Sequence, residues 1–363
     1  MQERLYYVGQ YEDINFEYQV LDEAQYIKNH STTAAKAVKV LKSAHRFALT
    51  GTPIENRLSE LWSIFDYLMP GFLYSYGVFR RELETPIVKY KDEDTSNRLR
   101  KMVAPFILRR LKGDVLKDLP DKIEEIRYAK LEGEQQQLYD AQVLHMKEMI
   151  VNQGAEDFQK NKLQILAELT KIRQICCDPE LLFDKYGGSS TKRHACVELI
   201  QSAIEGEHKI LVFSQFTSML ELLEQDLKKE KISYYKITGS TSKEKRVELV
   251  NEFNKDDTSV FLISLKAGGT GLNLTGADVV IHYGPWWNQA AQNQATDRAH
   301  RIGQTKIVSV YKLIAKDTIE EKIVKMQESK KDLAETILSG EMGDIGQMSK
   351  EEIMALLVEE AGA

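Results

Sequence analysis

The stretch Ser259–Tyr283, SVFLISLKAGGTGLNLTGADVVIHY, contains two short apolar runs on either side of a glycine-rich loop. The runs at 259–264 and 279–283 predict strands, because they are short, rich in β-branched residues and bounded by turn residues. Glycines 268, 269 and 271 let the backbone approach a ligand closely and point its amides at that ligand. A tight turn accounts for the same glycines equally well, so the loop alone identifies no ligand.

Strands and helices alternate on both sides of this stretch. The further predicted strands are Phe16 to Leu21, Arg46 to Thr50, Lys209 to Gln215, Ser233 to Ile237 and Ile307 to Ile314. The predicted helices include 34–42, 58–68, 218–229, 242–254 and 288–300. This alternation predicts an α/β fold in which helices cover both faces of a parallel sheet.

The composition limits the classes of function. A chain of 363 residues predicts two or three domains. No apolar run approaches the roughly 20 residues of a membrane helix, and the first residues lack an apolar signal core, so we expect a cytoplasmic location. Three cysteines without metal-ligand spacing predict a reducing compartment. The net charge of −6 argues mildly against nucleic acid, although a groove needs only a local basic lining.

Two carboxylates, Asp22 and Glu23, follow directly after the first predicted strand. A solvated turn is the simpler interpretation of the pair. The alternative is a site for a metal ion and water at the carboxyl edge of a parallel sheet, where α/β folds bind ligands.

Two further polar segments are candidates for chemistry. Thr50, Gly51 and Thr52 place two hydroxyls at a strand end, which a simple turn also explains. Arg298 and Arg301 are three residues apart and share a face of the predicted helix 288–300. A solvated basic face is the ordinary interpretation, but two adjacent tryptophans precede this helix and indicate a ligand or an interface. Arginines presented in this way can stabilise charge on a transferring phosphoryl group.

The order of these segments resembles that of the superfamily II helicase-like ATPases, and within them the SWI/SNF-type DNA translocases. Five segments carry the resemblance: LDEAQYIKN (21–29), LTGTPIENRLSELWSIFDYLMP (49–70), PFILRRLKGDVLKDLPDK (105–122), KAGGTGLNLTGADVVIHYGPWWNQAAQNQATDRAHRIGQ (266–304) and 311–322. The resemblance covers nearly the whole chain. Gln25 stands where eukaryotic members usually carry histidine, which resembles prokaryotic members.

The resemblance implies two RecA-like parallel-sheet lobes, the first incomplete, with inserted helical protrusions and a C-terminal helical brace. The implied domains are a first-lobe remnant (1–56), a first protrusion (57–105), the end of the first lobe with an inter-lobe linker (106–133), a second protrusion (134–188), the second lobe (189–317) and the brace (318–363).

The resemblance also implies roles for individual residues, with ATP and Mg²⁺ as cofactors. Asp22 would hold Mg²⁺ through water, Glu23 would orient or deprotonate the attacking water, and Arg298 and Arg301 would be arginine fingers. Gln25, Gly269, Gly271 and Gln294 would lie near the nucleotide, Gln25 coupling it to the second lobe, and Thr50, Gly51 and Thr52 would relay nucleotide state to DNA. Gln215, Thr241, Lys266, Trp287 and Asn288 would lie near a DNA groove.

The implied partner is double-stranded DNA, contacted through its phosphates, so binding would be independent of sequence and sensitive to salt. We expect a monomeric, nucleoid-associated motor without membrane contact; further protein partners stay open.

One family feature does not occur in this sequence. The phosphate-binding loop G-x-x-x-x-G-K-[ST] belongs upstream of the acidic pair, but the chain has no Gly-Lys dipeptide and only 21 residues precede Asp22. We therefore expect an N-terminally truncated translocase that does not hydrolyse ATP alone. The alternatives are a non-enzymatic DNA-binding module and an interaction platform. A small-molecule enzyme is the least favoured, since no nucleophile–base set occurs.

Overall fold

The structure is a computed structural model, and the chain divides into two compact units. It describes residues 11, 13–50, 58–108, 110, 112–152, 158, 160–184, 186–268, 271–336 and 350–357. Unit 1 comprises 1–110 and 328–343, and unit 2 comprises 111–327 and 344–363. Within the described ranges, no helix is both long enough and apolar enough to cross a membrane.

Unit 1 contains a two-stranded parallel sheet of β1 (Asn15–Leu21) and β2 (Lys42–Ala48). One face of this sheet packs on helices, where the Tyr67 hydroxyl donates to the Gln19 carbonyl at 3.2 Å. The helices are α1 (Thr33–Val40), α2 (Leu58–Leu68), α3 (Tyr76–Phe79), a π-helical turn (Arg80–Glu84), α4 (Thr85–Tyr90) and α5 (Glu93–Val103), with 3₁₀ turns at Ala24–Ile27 and Ala104–Phe106. The apolar spacing of residues 58–68 predicted α2 correctly.

Unit 2 is built on a six-stranded sheet in which every paired strand is parallel. Its order is β3-β8-β7-β4-β6-β5, with β3 (Lys122–Lys130), β4 (Ile210–Ser214), β5 (Tyr234–Ile237), β6 (Val260–Ser264), β7 (Val279–Tyr283) and β8 (Val308–Lys316). Every residue of β4, β6 and β7 is buried. Continuous apolar runs are the pattern expected for strands covered on both faces, so the predicted α/β parallel sheet is confirmed.

Helices cover both faces of this sheet. They are α6 (Lys112–Val115), α7 (Gly133–Val151), α8 (Lys162–Cys177), α9 (Thr191–Glu205), α10 (Thr217–Lys229), α11 (Lys243–Phe253), α12 (Leu265–Gly268), α13 (Gln289–Thr296), α14 (Ile319–Thr336) and α15 (Lys350–Leu357). Side chains of α9 and α10 share a core with one face, and those of α11 and α13 share a core with the other. A separate core joins α7, α8, α14 and α15.

The edge strand β3 was not predicted from the sequence. Residues 106–133 were assigned to the end of the first lobe and a linker, whereas β3 pairs with β8 from Lys122↔Val308 to Lys130↔Lys316. Its sequence, KIEEIRYAK, is charged, and Glu124 accepts a hydrogen bond from Lys312 Nζ at 2.7 Å. Charged side chains are common on edge strands because they oppose pairing with another chain, and here they conceal the apolar pattern of a strand.

The second face of the unit 1 sheet exposes large apolar side chains. Tyr18, Val20 and Phe47 are 60%, 55% and 50% exposed, and Val20 lies opposite Phe47 in the register of β1 and β2. A two-stranded sheet is marginally stable on its own, and an exposed apolar face favours association between molecules.

Replacing this face with an opposed charge pair is therefore expected to reduce self-association. The variant Val20→Lys/Phe47→Glu keeps a favourable cross-strand pair while removing apolar surface. Light scattering against protein concentration should show less association than the unaltered chain. Val247→Lys is the matched control, because Val247 is 60% exposed on α11 of unit 2. Equal scattering from the variant and the unaltered chain would show that this face does not cause self-association.

Candidate functional site

In unit 1, the acidic pair forms the turn that follows β1. The Glu23 backbone is left-handed, with φ at 53°, and its N–H donates to Asp22 Oδ1 at 2.9 Å. The next amide, that of Ala24, donates to the Leu49 carbonyl at 2.9 Å, which joins the turn to the end of β2. A left-handed non-glycine residue costs free energy, and such residues concentrate at functional sites.

A chain of hydrogen bonds links Glu23 to Thr50 through Gln25. Gln25 Nε2 donates to Glu23 Oε2 at 2.6 Å, and Thr50 Oγ1 donates to Gln25 Oε1 at 2.8 Å. Three predicted site residues are therefore in direct contact at the carboxyl ends of two parallel strands. Gly51 and Thr52 lie outside the described residues.

In unit 2, the predicted residues lie at or just beyond the carboxyl ends of β4, β5, β6 and β7. Gln215 follows β4 and is half-buried. Thr241 lies in the turn after β5, where its Oγ1 accepts from the Thr238 N–H at 3.1 Å. Lys266 lies in α12, although its side chain and Gly269 are outside the described part of the chain. Because the carboxyl ends of parallel strands share one edge, these residues lie at the edge where open α/β sheets generally bind ligands.

Arg298 and Arg301 lie in an irregular turn, and the prediction that they share a helix face is wrong. Helix α13 ends at Thr296 and is followed by 3₁₀-type bonds, of which the one from the Arg298 N–H to the Ala295 carbonyl is 3.2 Å long. We call residues 297–304 the arginine turn.

The arginine turn contacts the end of the glycine loop. The Leu274 N–H donates to the Arg298 carbonyl at 2.9 Å, and Arg301 Nη1 donates to the Leu272 carbonyl at 3.5 Å. Gly271, in the same loop, has φ at 44°. Arg298 is buried, at 8% exposed, and Arg301 is half-buried. Gln294, on α13, is half-buried.

Gln304 fixes the arginine turn to the loop that precedes β7, and the sequence analysis did not single it out. Its Nε2 donates to the carbonyls of Thr275, Ala277 and Ala299 at 3.2, 2.8 and 3.2 Å. Its Oε1 accepts from the amides of residues 305 and 306. The one indication in the sequence was its position as the last residue of 266–304, the longest segment that carries the family resemblance.

The tryptophan pair is held by buried polar side chains. Arg173 Nη2 donates to the Pro285 carbonyl at 2.6 Å, and its guanidinium lies 5.2 Å from the Trp287 ring centroid. Gln327 Nε2 donates to the Trp286 carbonyl. Asn288 Oδ1 caps α13 by accepting from the Ala291 N–H at 3.1 Å. Trp287 and Asn288 thus have intramolecular roles, and their contact with DNA stays a prediction.

A buried ion pair packs against Gly284, which precedes the tryptophan pair in the sequence. Lys192 Nζ donates to both carboxylate oxygens of Glu320, at 2.7 and 2.5 Å, and the two side chains are 0% and 1% exposed. The Ala315 N–H also donates to Glu320, at 2.8 Å. Gly284 passes so close that an added Cβ would lie 3.1 Å from the Glu320 carboxylate, and its φ is 94°. The pair therefore joins α9, α14 and the end of β7 at a point where only glycine fits.

Two histidines have hydrogen-bonding roles. His282 Nε2 lies 2.8 Å from Thr296 Oγ1, and His300 Nε2 lies 2.8 Å from the Pro120 carbonyl. Burial, with a contribution from the positive charge of Lys312, lowers the pKa of His282 from 6.5 to about 3. His282 is therefore neutral at physiological pH. No group of three metal-ligating side chains occurs among the residues described.

The three cysteines, Cys176, Cys177 and Cys196, are buried and unpaired. Burial raises the pKa of the Cys177 and Cys196 thiols to about 12, so both are neutral packing residues.

Comparison with known proteins decides the family. The profile of the SNF2-related domain matches residues 6–181, and that of the helicase conserved C-terminal domain matches residues 191–303. The solved SWI2/SNF2 ATPase core of Sulfolobus solfataricus in complex with dsDNA is 38% identical, with a TM-score of 0.56, over 99% of this chain and 76% of that chain. The chain belongs to the SNF2 family.

SNF2-family relatives of this chain include bacterial helicases. An uncharacterized ATP-dependent helicase of Mycoplasma genitalium is 42% identical over 346 residues, which cover 94% of this chain and 32% of the relative. A putative ATP-dependent helicase/translocase of Bacillus subtilis is 40% identical over 353 residues, covering 94% and 38%. The chain thus spans about a third of the length of these relatives. The family resemblance inferred from the sequence is confirmed.

Breaking the buried ion pair is expected to destabilise unit 2. Glu320→Gln should lower the free energy of unfolding by roughly 3–5 kcal/mol, because it leaves the Lys192 ammonium buried and unpaired. The double variant Lys192→Met/Glu320→Gln removes that charge and should recover part of the loss. Denaturant unfolding of the chain measures both. A double variant less stable than Glu320→Gln would contradict this explanation.

The depressed pKa of His282 predicts a loss of stability in mild acid. Below pH 6.5 the unfolded chain binds a proton at His282, whereas the folded chain does not until about pH 3. Stability should therefore fall by about 1–2 kcal/mol between pH 6.5 and 5. In His282→Gln, which can still hydrogen-bond to Thr296, this part of the dependence should disappear. Unfolding curves at several pH values test this. If the stability of His282→Gln falls with pH as much as that of the unaltered chain, His282 is not the cause.

Proposed function

We propose that this chain is the C-terminal portion of a translocase that couples ATP hydrolysis to movement on double-stranded DNA. The observation that carries the proposal is the hydrogen-bonded chain from Glu23 through Gln25 to Thr50, in a member of the SNF2 family. A carboxylate that acts on water needs a fixed orientation, and the 2.6 Å bond from Gln25 contributes to it. Thr50 donates to Gln25 and so connects the Glu23 carboxylate to the end of β2.

We assign Glu23 to the attacking water and Asp22 to Mg²⁺. Glu23 orients or deprotonates the water, and the amide of Glu23 fixes one oxygen of Asp22. Mg²⁺ keeps several waters and is usually held by one or two carboxylates together with substrate phosphates, so a lone exposed carboxylate fits it. The ion, when bound, neutralises phosphate charge.

In unit 2, we assign Arg298 and Arg301 to the charge that develops on the transferring phosphoryl group. Their turn is bonded to the glycine loop, which supports a shared role in nucleotide binding for Gly269, Gly271 and Gln294. Such arginines act by position, because a preorganised charge stabilises a transition state without reorganising.

We further propose that the DNA-facing residues lie at the strand ends of unit 2. Gln215, Thr241, Lys266, Trp287 and Asn288 are the candidates, with Trp287 acting through packing. Support comes from the Sulfolobus solfataricus relative, which is described in complex with dsDNA. Contacts to phosphates would make binding independent of sequence and weaker at high salt. We also propose that the translocase of which this chain is a part works as a monomer in the cytoplasm, at the nucleoid.

ATP turnover tests the proposal. The sequence has no Gly-Lys dipeptide, so we expect no turnover by the chain alone. We define the complemented chain as the chain mixed with, or fused to, a segment carrying the phosphate-binding loop. It should hydrolyse ATP, faster with duplex DNA, and Glu23→Gln should lower the rate at least a hundredfold because the water loses its base. Asp184→Asn, a substitution outside the proposed site, is the matched control.

Each outcome separates two functions. Turnover that depends on Glu23 supports the translocase. Salt-sensitive duplex binding without turnover, even in the complemented chain, favours a non-enzymatic DNA-binding module. Robust turnover by the chain alone would overturn the expected dependence on the added loop.

A further inference from the structure

The first residues of unit 2 are hydrogen-bonded to the arginine turn. Lys112 Nζ donates to Asp297 Oδ1 at 2.6 Å and to the His300 carbonyl at 2.7 Å. Further along the same segment, the Pro120 carbonyl lies 2.8 Å from His300 Nε2. We call residues 112–121 the entry segment, because the chain passes from unit 1 to unit 2 between Arg110 and Leu111.

The entry segment and the sheet hold different parts of the arginine turn. The Leu274 N–H of the glycine loop donates to the Arg298 carbonyl, and Gln304 Nε2 donates to the Ala277 carbonyl before β7. Lys112 instead joins the beginning of the turn to its middle, since one ammonium contacts both Asp297 and the carbonyl of His300. The peptide that starts at this carbonyl leads directly into Arg301. A residue outside the sheet thus holds the side chain that precedes Arg298 and the backbone carbonyl that precedes Arg301.

The energetics indicate positioning more than stability. The Lys112 and Asp297 side chains are 41% and 42% exposed, and exposed ion pairs contribute little to folding. The bond to a backbone carbonyl nevertheless restricts a turn whose helix has already ended at Thr296. A charged donor that bridges two groups can change the local opening equilibrium of such a turn without unfolding the domain.

We propose that Lys112 is a positioning residue for Arg298 and Arg301, and that the entry segment transmits changes at the unit boundary to the arginine turn. The catalytic part of this inference rests on the proposed function. A displacement of the entry segment removes Lys112 from Asp297 and His300, which frees the turn. The protein can thereby make its charge stabilisation depend on the state of the connection that joins its two units.

Hydrogen exchange of the chain tests the contact without any enzymatic activity. Lys112→Gln should accelerate amide exchange in 297–304 about tenfold, because it removes the charge that bridges the turn. Exchange in β4 and β6 should not change. Lys112→Arg keeps the charge and the donors and should restore much of the protection. Lys117→Gln is the matched control, an exposed lysine of the same segment.

ATP turnover by the complemented chain tests the catalytic consequence. Lys112→Gln should lower kcat about tenfold with little change in the KM for ATP or in duplex binding, while Lys117→Gln leaves all three unchanged. Equal exchange at 297–304 in the two glutamine variants would overturn the inference. So would turnover by Lys112→Gln equal to that of the unaltered chain. If the complemented chain hydrolyses no ATP, with or without Lys112→Gln, the proposed function fails. The exchange result alone then decides whether Lys112 positions the turn.

Discussion

The buried pair of Lys192 and Glu320 is the interaction on which the arrangement of unit 2 depends. Removing two charges from water costs several kcal/mol for each ion, so such a pair persists only where further bonds complete it. Here the Ala315 amide donates to the carboxylate, and the Tyr283 ring lies 5.2 Å from the ammonium. The pair requires glycine at residue 284, and it fixes the start of α14 against the end of β7. The tryptophan pair and then α13 come next along the chain after Gly284.

The same principle operates at the other strand ends. Parallel strands leave their carboxyl ends at one edge, where the backbone must turn and its polar groups need partners. Arg173 supplies such a partner to the Pro285 carbonyl after β7, Gln25 hydrogen-bonds the side chains of Glu23 and Thr50 after β1 and β2, and Gln304 donates to the Ala277 carbonyl just before β7. Each of these residues fixes a neighbour that carries a proposed function: Glu23, the arginine turn or the tryptophan pair. Residues that hold the backbone or a neighbouring side chain are therefore as necessary to the site as those assigned to chemistry.

The sequence predicted the buried sheet better than its edge or its turns. Strands β4, β6 and β7 were predicted to within one residue, because burial on both faces requires unbroken apolar runs. Strand β3 was missed, since its exposed face carries charges. The helix predicted at 288–300 ends at Thr296, because tertiary bonds from Leu274 and Gln304 outweigh the helical pattern. The buried pair of Lys192 and Glu320 spans 128 residues, and no local pattern indicates it.

Displacement of a triplex-forming strand from duplex DNA tests the central claim most directly, because it reports movement along DNA and not merely turnover or binding. The complemented chain should displace the strand in the presence of ATP and Mg²⁺, and Arg301→Ala should abolish displacement while duplex binding remains. Turnover and duplex binding without any displacement would contradict translocation, and would leave an SNF2-family ATPase that binds DNA in place.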